Sequence, residues 1–146
     1  MGNSFGYLDV HDTARFLAGV ATVLADGARF VVDAATVAET LLPHLELGGL
    51  PDRHAVGDVA LTNRHHYDAT TSTLVTDMTL ERGHERAERR VGHRVMTCRE
   101  VVAALDGAGL EVTHVDGDTD GVAFTVGASR CLVTAVRVRR AAKSPG

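Results

Sequence analysis

Residues 29–33, Arg29-Phe30-Val31-Val32-Asp33, form a short apolar run with no polar alternation inside it. Such a run predicts a strand covered on both faces, and strands of that kind belong to parallel sheets. It follows the clearest helical pattern in the chain. Over residues 12–26, Phe16, Leu17, Val20, Val23 and Leu24 make one apolar stripe. Asp9 or Asp12 can accept hydrogen bonds from the free amides of the first turn, and Gly27 supplies a left-handed stop. A helix feeding a buried strand reads as the end of a β-α-β crossover. The first strand of that unit is expected to end just before Asn3. Residues 1–8 then read as the loop at its carboxyl end, with residues 30–32 left short of one neighbour.

The rest of the chain is ordered by its punctuation. A second helix is expected over residues 35–42, stopping at Pro43. Residues 43–58 carry Pro43, Gly48, Gly49, Pro51 and Gly57 and read as a surface loop. Three β-like stretches follow, at 59–67, 72–80 and 85–96. The second places Leu74, Thr76, Met78 and Leu80 on one face, and short turns predict an antiparallel meander. Thr97-Cys98-Arg99-Glu100 is a capping box that opens a helix to about residue 106. Strands are expected at 111–115, 122–126 and 130–138, with a polar loop at 116–121 and a frayed tail from Arg139.

Composition narrows the function classes. The 146 residues suit one domain. Aromatic residues are only 4% with no Trp, so the core is built from Val, Leu and Ala. A net charge of −4 argues against nucleic-acid binding, which calls for a basic excess. Cys98 and Cys131 fit no metal or redox spacing, and eight histidines form no zinc motif. No secretory or membrane-spanning pattern is evident, so a reducing cytoplasm is the expected setting.

Four stretches, in this order and spacing, carry a resemblance. Asn3-Ser4-Phe5-Gly6-Tyr7-Leu8 is similar to the segment after the fourth strand of class I S-adenosylmethionine-dependent methyltransferases. Leu24-Ala25-Asp26-Gly27-Ala28-Arg29-Phe30 resembles their lead into the fifth strand, with Asp26 and Ala28 replacing the usual residues. Val95-Met96-Thr97-Cys98-Arg99-Glu100 resembles the entry to the last helix. Ala108-Gly109-Leu110-Glu111-Val112 resembles the step into the sixth strand. The chain therefore looks like the carboxyl-terminal half of a small-molecule methyltransferase. The resemblance implies an α/β fold, an incomplete Rossmann-like sheet whose last strand runs antiparallel to the rest. It also implies an inserted antiparallel cap at 59–96.

S-adenosylmethionine is the cofactor the resemblance implies, and a small molecule the acceptor. The family cradles its cofactor mainly with a Gly-rich turn in its first half; no G-x-G-x-x-G-like turn between strand and helix occurs here. Cofactor contact then falls to Asn3, Ser4, Phe5, Gly6 and Tyr7, which also read simply as a turn before a helix. Asp33 and Thr36 follow the buried strand and are candidates for substrate binding, with Arg94; Asp33 has an equally simple role as a helix cap. His65, His66 and Tyr67 end a strand of the cap. An imidazole there can take a proton from an amine or hydroxyl, although an exposed strand end accounts for the same residues. Arg82, Arg86, Arg89, Arg90 and Arg94, mixed with Glu81, Glu85 and Glu88, predict a solvated strand face with cross-strand pairs. An unpaired apolar strand invites association, so a homodimer or strand-exchanged assembly is expected. The alternative function is a catalytically inactive half-domain acting as a dimeric binding module.

Overall fold

The computed structural model describes residues 6–34, 36–45 and 52–138. The chain divides into two compact units, residues 1–43 with 96–146, and residues 44–95.

The first unit is α/β. Its helix α1 (Val10–Val23) starts where Asp9 Oδ1 accepts from the Asp12 amide at 2.8 Å. It leads into strand β1 (Arg29–Asp33) through a turn in which Gly27 adopts φ +76°. The buried face of α1 is set by Thr13 and Leu17, continued by the half-buried Val20, Ala21 and Leu24. Phe16 and Val23 do not share it: they are 47% and 82% exposed. The expected stripe was thus too wide: Leu17, Val20 and Leu24 keep to the inner face with Thr13, while Phe16 and Val23 face outward.

β1 is an edge strand among the described residues. It pairs antiparallel with β7 (Leu132–Arg137), which pairs antiparallel with β6 (Leu110–Asp116), giving the order β1-β7-β6. The last strand therefore opposes the other two, as expected of a Rossmann-like methyltransferase sheet. Coverage of β1 on both faces is not found. Val32 is 6% exposed, but Val31 is 55% exposed. β1 buries alternate residues, the pattern of a strand covered on one face. The core gathers Leu17 of α1, Val32 of β1, Leu110 of β6, and Val133 and Ala135 of β7. Val101 and Leu105 of α3 (Cys98–Gly107) complete it.

Between β1 and α3 the first unit adds a short helix, α2 (Ala38–Leu41), continued by a single 3-10 turn at Leu42–His44. The helix expected from residue 35 starts only at Ala38, and Pro43 lies within the 3-10 turn rather than after a helix. Residues 122–126 form no strand. Ala123 makes one bridge to Asp116, while Asp118 Oδ1 collects the amides of Asp120 and Val122 and closes the loop on itself.

The second unit is a four-stranded antiparallel sheet in the order β2-β3-β4-β5. Its strands are β2 (Asp52–Val56), β3 (Val59–Asp68), β4 (Thr73–Arg82) and β5 (Glu85–Arg94). β3 to β5 form the predicted meander. β2 lies where a loop was expected. All five of its residues are exposed, so no apolar pattern announces it. Backbone pairing with β3 across a tight turn holds it, with Gly57 at φ +62°.

Candidate functional site

The carboxyl end of β1 is the first place where polar groups converge. Asp33 closes the strand opposite Leu132. Its Oδ2 accepts from Arg130 Nη2 at 2.7 Å, while its Oδ1 is buried without a hydrogen-bond partner. The helix-cap reading of Asp33 does not hold: the N-cap of α2 is Val37, which makes no side-chain cap bond. Thr36 is half-buried in the connection that follows.

Neighbouring segments are tied to this end by backbone bonds. The Ala34 amide donates to the Cys131 carbonyl at 2.8 Å, and the Ala38 amide to the Met96 carbonyl at 2.8 Å. Glu39 is used twice. Its Oε2 accepts from the Cys98 amide at the start of α3, and its carbonyl accepts from Gly127. The turn joining α1 to β1 is short and both pack in one core, so α1 runs back along the sheet. That brings Gly6 and Tyr7, just ahead of α1, towards the carboxyl end of β1. Gly6 is buried and Tyr7 is 58% exposed. Asn3, Ser4 and Phe5 lie outside the described residues.

The opposite end of the same sheet carries a cavity of about 540 Å³ lined by Ala18, Thr22, Asp26, Gly107 and Arg137. Its charged groups are already committed: Arg137 donates to the Leu24 carbonyl and lies 3.9 Å from Asp26. It serves as a cap for the end of α1.

In the second unit, strand pairing sorts the candidate residues onto two faces. Tyr67, Leu74 and His93 form one cross-strand row, and His65, Thr76 and Val91 the next. His65 Nδ1 is 3.0 Å from Thr76 Oγ1. His93 is 6% exposed, and burial pushes its imidazole below the ordinary histidine range. Asn63, on the same face, has a buried Oδ1 with no hydrogen-bond partner.

His66 and Arg94 lie on the other face. The structure therefore brings His65 and Tyr67 together and separates both from His66 and Arg94. That second face is ionic. Arg90 grips Asp77 through two bonds, of 2.6 and 2.9 Å, and this pairing above all holds the Asp77 carboxyl below the usual range. Arg86 pairs with Glu88 and Glu81, the cross-strand pattern expected for this stretch.

Sequence reasoning missed Arg130, Glu39, Asn63 and His93. Arg130 and Glu39 act on residues 97 and 59 positions away, so no local pattern could reveal them. His93 had a signal: it continues the alternation of Val91 and Val95 on β5.

The geometry offers partial accommodation to S-adenosylmethionine. The free Asp33 Oδ1 suits a hydroxyl or amino donor, and the exposed ring of Tyr7 suits a flat base. Among the described residues, the strand-to-helix turns after β1 and β5 contain no glycine to let backbone close on such a ligand. These residues fit one side of the cofactor.

No protein-family model matches the sequence, and no curated protein matches it. Solved structures do resemble the fold. The CcbJ methyltransferase from Streptomyces caelestis superposes with a TM-score of 0.74 at 16% identity, over 94% of this chain and 55% of that one. The sugar N-methyltransferase KedS8 from Streptoalloteichus gives 0.65 at 20% identity, over 95% and 54%. The amino pentose methyltransferase CalS10 from Micromonospora echinaspora, solved with S-adenosylmethionine bound, gives 0.65 at 18% identity, over 94% and 56%. The chain spans about half the length of these structures. Its fold is that of part of an S-adenosylmethionine-dependent methyltransferase domain.

Proposed function

We propose that this chain forms the carboxyl-terminal half of a methyltransferase domain that moves a methyl group from S-adenosylmethionine to a small-molecule acceptor. The observation that carries this reading is the extent of the likeness: 94% of the chain follows CcbJ at a TM-score of 0.74. KedS8 and CalS10 act on sugars bearing nitrogen by their descriptions, so an amino sugar is the first acceptor class to test.

The cofactor, when bound, supplies a methyl group on a positively charged sulfur. The residues of this chain have the tasks of alignment and proton handling. In the first unit, Asp33 Oδ1 accepts a hydrogen bond from the cofactor, while Arg130 fixes the carboxylate through Oδ2. Gly6 and Tyr7 face the same end, and Thr36 adds a hydroxyl. In the second unit, the sheet of residues 59–95 offers the face that would bind the acceptor. His65, oriented by Thr76, takes the proton that an ammonium or hydroxyl acceptor must lose. Tyr67 and the neutral His93 shape that face.

The test uses the isotopically labelled chain and S-adenosylhomocysteine. Amide shifts are expected at Gly6, Tyr7, Asp33, Ala34 and Thr36 at millimolar ligand. Absence of shifts at those amides overturns the assignment of a cofactor-facing end.

One observation favours a second reading, a self-associating binding module without catalysis. β1 has a partner strand on one edge only among the described residues, and Val31 is 55% exposed. Under this reading the chain pairs β1 with a second copy. Assembly without any response to S-adenosylhomocysteine supports it. Among the described residues no helix is long and apolar enough to cross a membrane, and a cytoplasmic setting is part of the proposal.

A further inference from the structure

Cys98 and Cys131 are the chain's two cysteines, 33 residues apart, and both are free. Their sulfurs lie 3.8 Å from each other. Each backbone is pinned. Cys98 is the first residue of α3, where its amide donates to Glu39 Oε2 at 2.9 Å and the Thr97–Glu100 capping box fixes the turn. The residue before β7 is Cys131, and its carbonyl receives the Ala34 amide. Access is unequal: Cys98 is half-buried and Cys131 is 0% exposed. The two thiols thus face each other across the core, with one reachable from solvent.

We propose that this pair is a covalent modification site, closing to an intrachain Cys98–Cys131 disulfide by exchange with a small-molecule disulfide such as oxidised glutathione. The Cys98 thiolate attacks one sulfur of the reagent, forming a mixed disulfide and expelling the first glutathione thiolate. Cys131 then attacks Cys98 Sγ, and the second glutathione thiolate leaves. The two thiol protons pass to the two leaving thiolates. The protein loses two electrons, and the reagent's disulfide bond gains them. The sulfurs must close from 3.8 Å to a bonded separation of about 2.05 Å. The product staples the start of α3 to the start of β7, beside Asp33 and Arg130. Burial pushes both thiols up, so the exchange accelerates with rising pH by about tenfold per unit until Cys98 ionises.

The test is intact-mass analysis of the whole chain after incubation with oxidised glutathione, followed by peptide mapping without reduction. The expected product is lighter by two hydrogen atoms, with the Cys98 and Cys131 peptides linked within one chain. Cys131→Ser is expected to stop at a single glutathione adduct on Cys98, and Cys98→Ser to stay unmodified while folded. Wild-type protein that remains reduced at alkaline pH, that carries two glutathione adducts, or that links only between copies overturns the proposal. Because the wild-type readout decides, it stands even if a serine variant fails to fold.

Discussion

Asp33 and Arg130, 97 residues apart in sequence, meet at 2.7 Å at the carboxyl end of β1, and only one carboxylate oxygen of Asp33 is used. The division matters because the two oxygens face different requirements. Oδ2 is neutralised by a guanidinium. Oδ1 is buried yet lacks a partner, which is costly unless a ligand donates to it. The carboxylate is held in place by one atom and left available at the other.

Stability and binding should therefore separate at this pair. The two side chains are 40% and 45% exposed, which limits the ion pair to about 1 kcal/mol or less. Asp33→Asn is expected to shift the urea midpoint little. It is expected to weaken S-adenosylhomocysteine binding about tenfold, the loss of one charge-assisted hydrogen bond. Equal losses in both measurements would assign Asp33 to folding alone.

The start of α3 depends on carboxylates from two directions. Glu100 Oε2 accepts from the Thr97 amide, and Thr97 Oγ1 from the Glu100 amide. Glu39 reaches in from α2 to the Cys98 amide. Thr97→Ala is expected to cost about 1 kcal/mol, the usual price of a lost cap. Glu39→Ala strands a part-buried amide and is expected to cost about 1–3 kcal/mol. Glu39→Gln keeps an acceptor and should fall between wild type and alanine. Urea unfolding of the three variants checks the order.

His93 sets a pH dependence of known sign. Burial holds its folded value below the ordinary 6.5, so the unfolded chain binds the proton more readily. Its contribution to stability is complete above the unfolded value and is lost as pH falls through the folded one, with a slope of at most about 1.4 kcal/mol per pH unit. The urea midpoint should drop on acidification below about pH 6.5. His93→Leu should flatten part of that drop. An unchanged profile in His93→Leu would show that His93 does not set the drop.

How much of this was legible in the sequence depended on whether the cause was local. The capping box at Thr97 and the meander of β3 to β5 were readable because turns and caps use nearby residues; the helix stop expected at Gly27 was not found, since α1 already ends at Val23 and Gly27 serves the turn into β1. β2 was not, since Asp52–Val56 is exposed throughout and its strand state comes from pairing with β3. The α1 stripe was misjudged because Phe16 and Val23 remain exposed while Thr13 is buried, which a hydrophobicity pattern alone cannot foresee. Candidate residues in the strands fared by parity. His65 and Tyr67 share a face because they are two apart; His66 falls on the other because it is one away. Arg130 and Glu39 reach the site through tertiary contacts and were invisible.

The exposed edge of β1 gives the last prediction. β7 satisfies one side of the strand; on the other, among the described residues, no strand pairs with it. An apolar edge with Val31 at 55% exposure is a template for another strand. The chain is expected to self-associate with rising concentration in sedimentation velocity. Val31→Lys places a charge on that strand and should weaken association about tenfold or more, as lysines on an edge strand discourage further pairing. It should leave the urea midpoint nearly unchanged, because Val31 is outside the core cluster. Phe16→Ser, on an exposed face of α1, separates edge pairing from general stickiness. A tenfold effect at Val31 with little at Phe16 supports β1 as the joining edge. A chain that stays monomeric at every concentration, or equal effects from both substitutions, would remove β1 from that role.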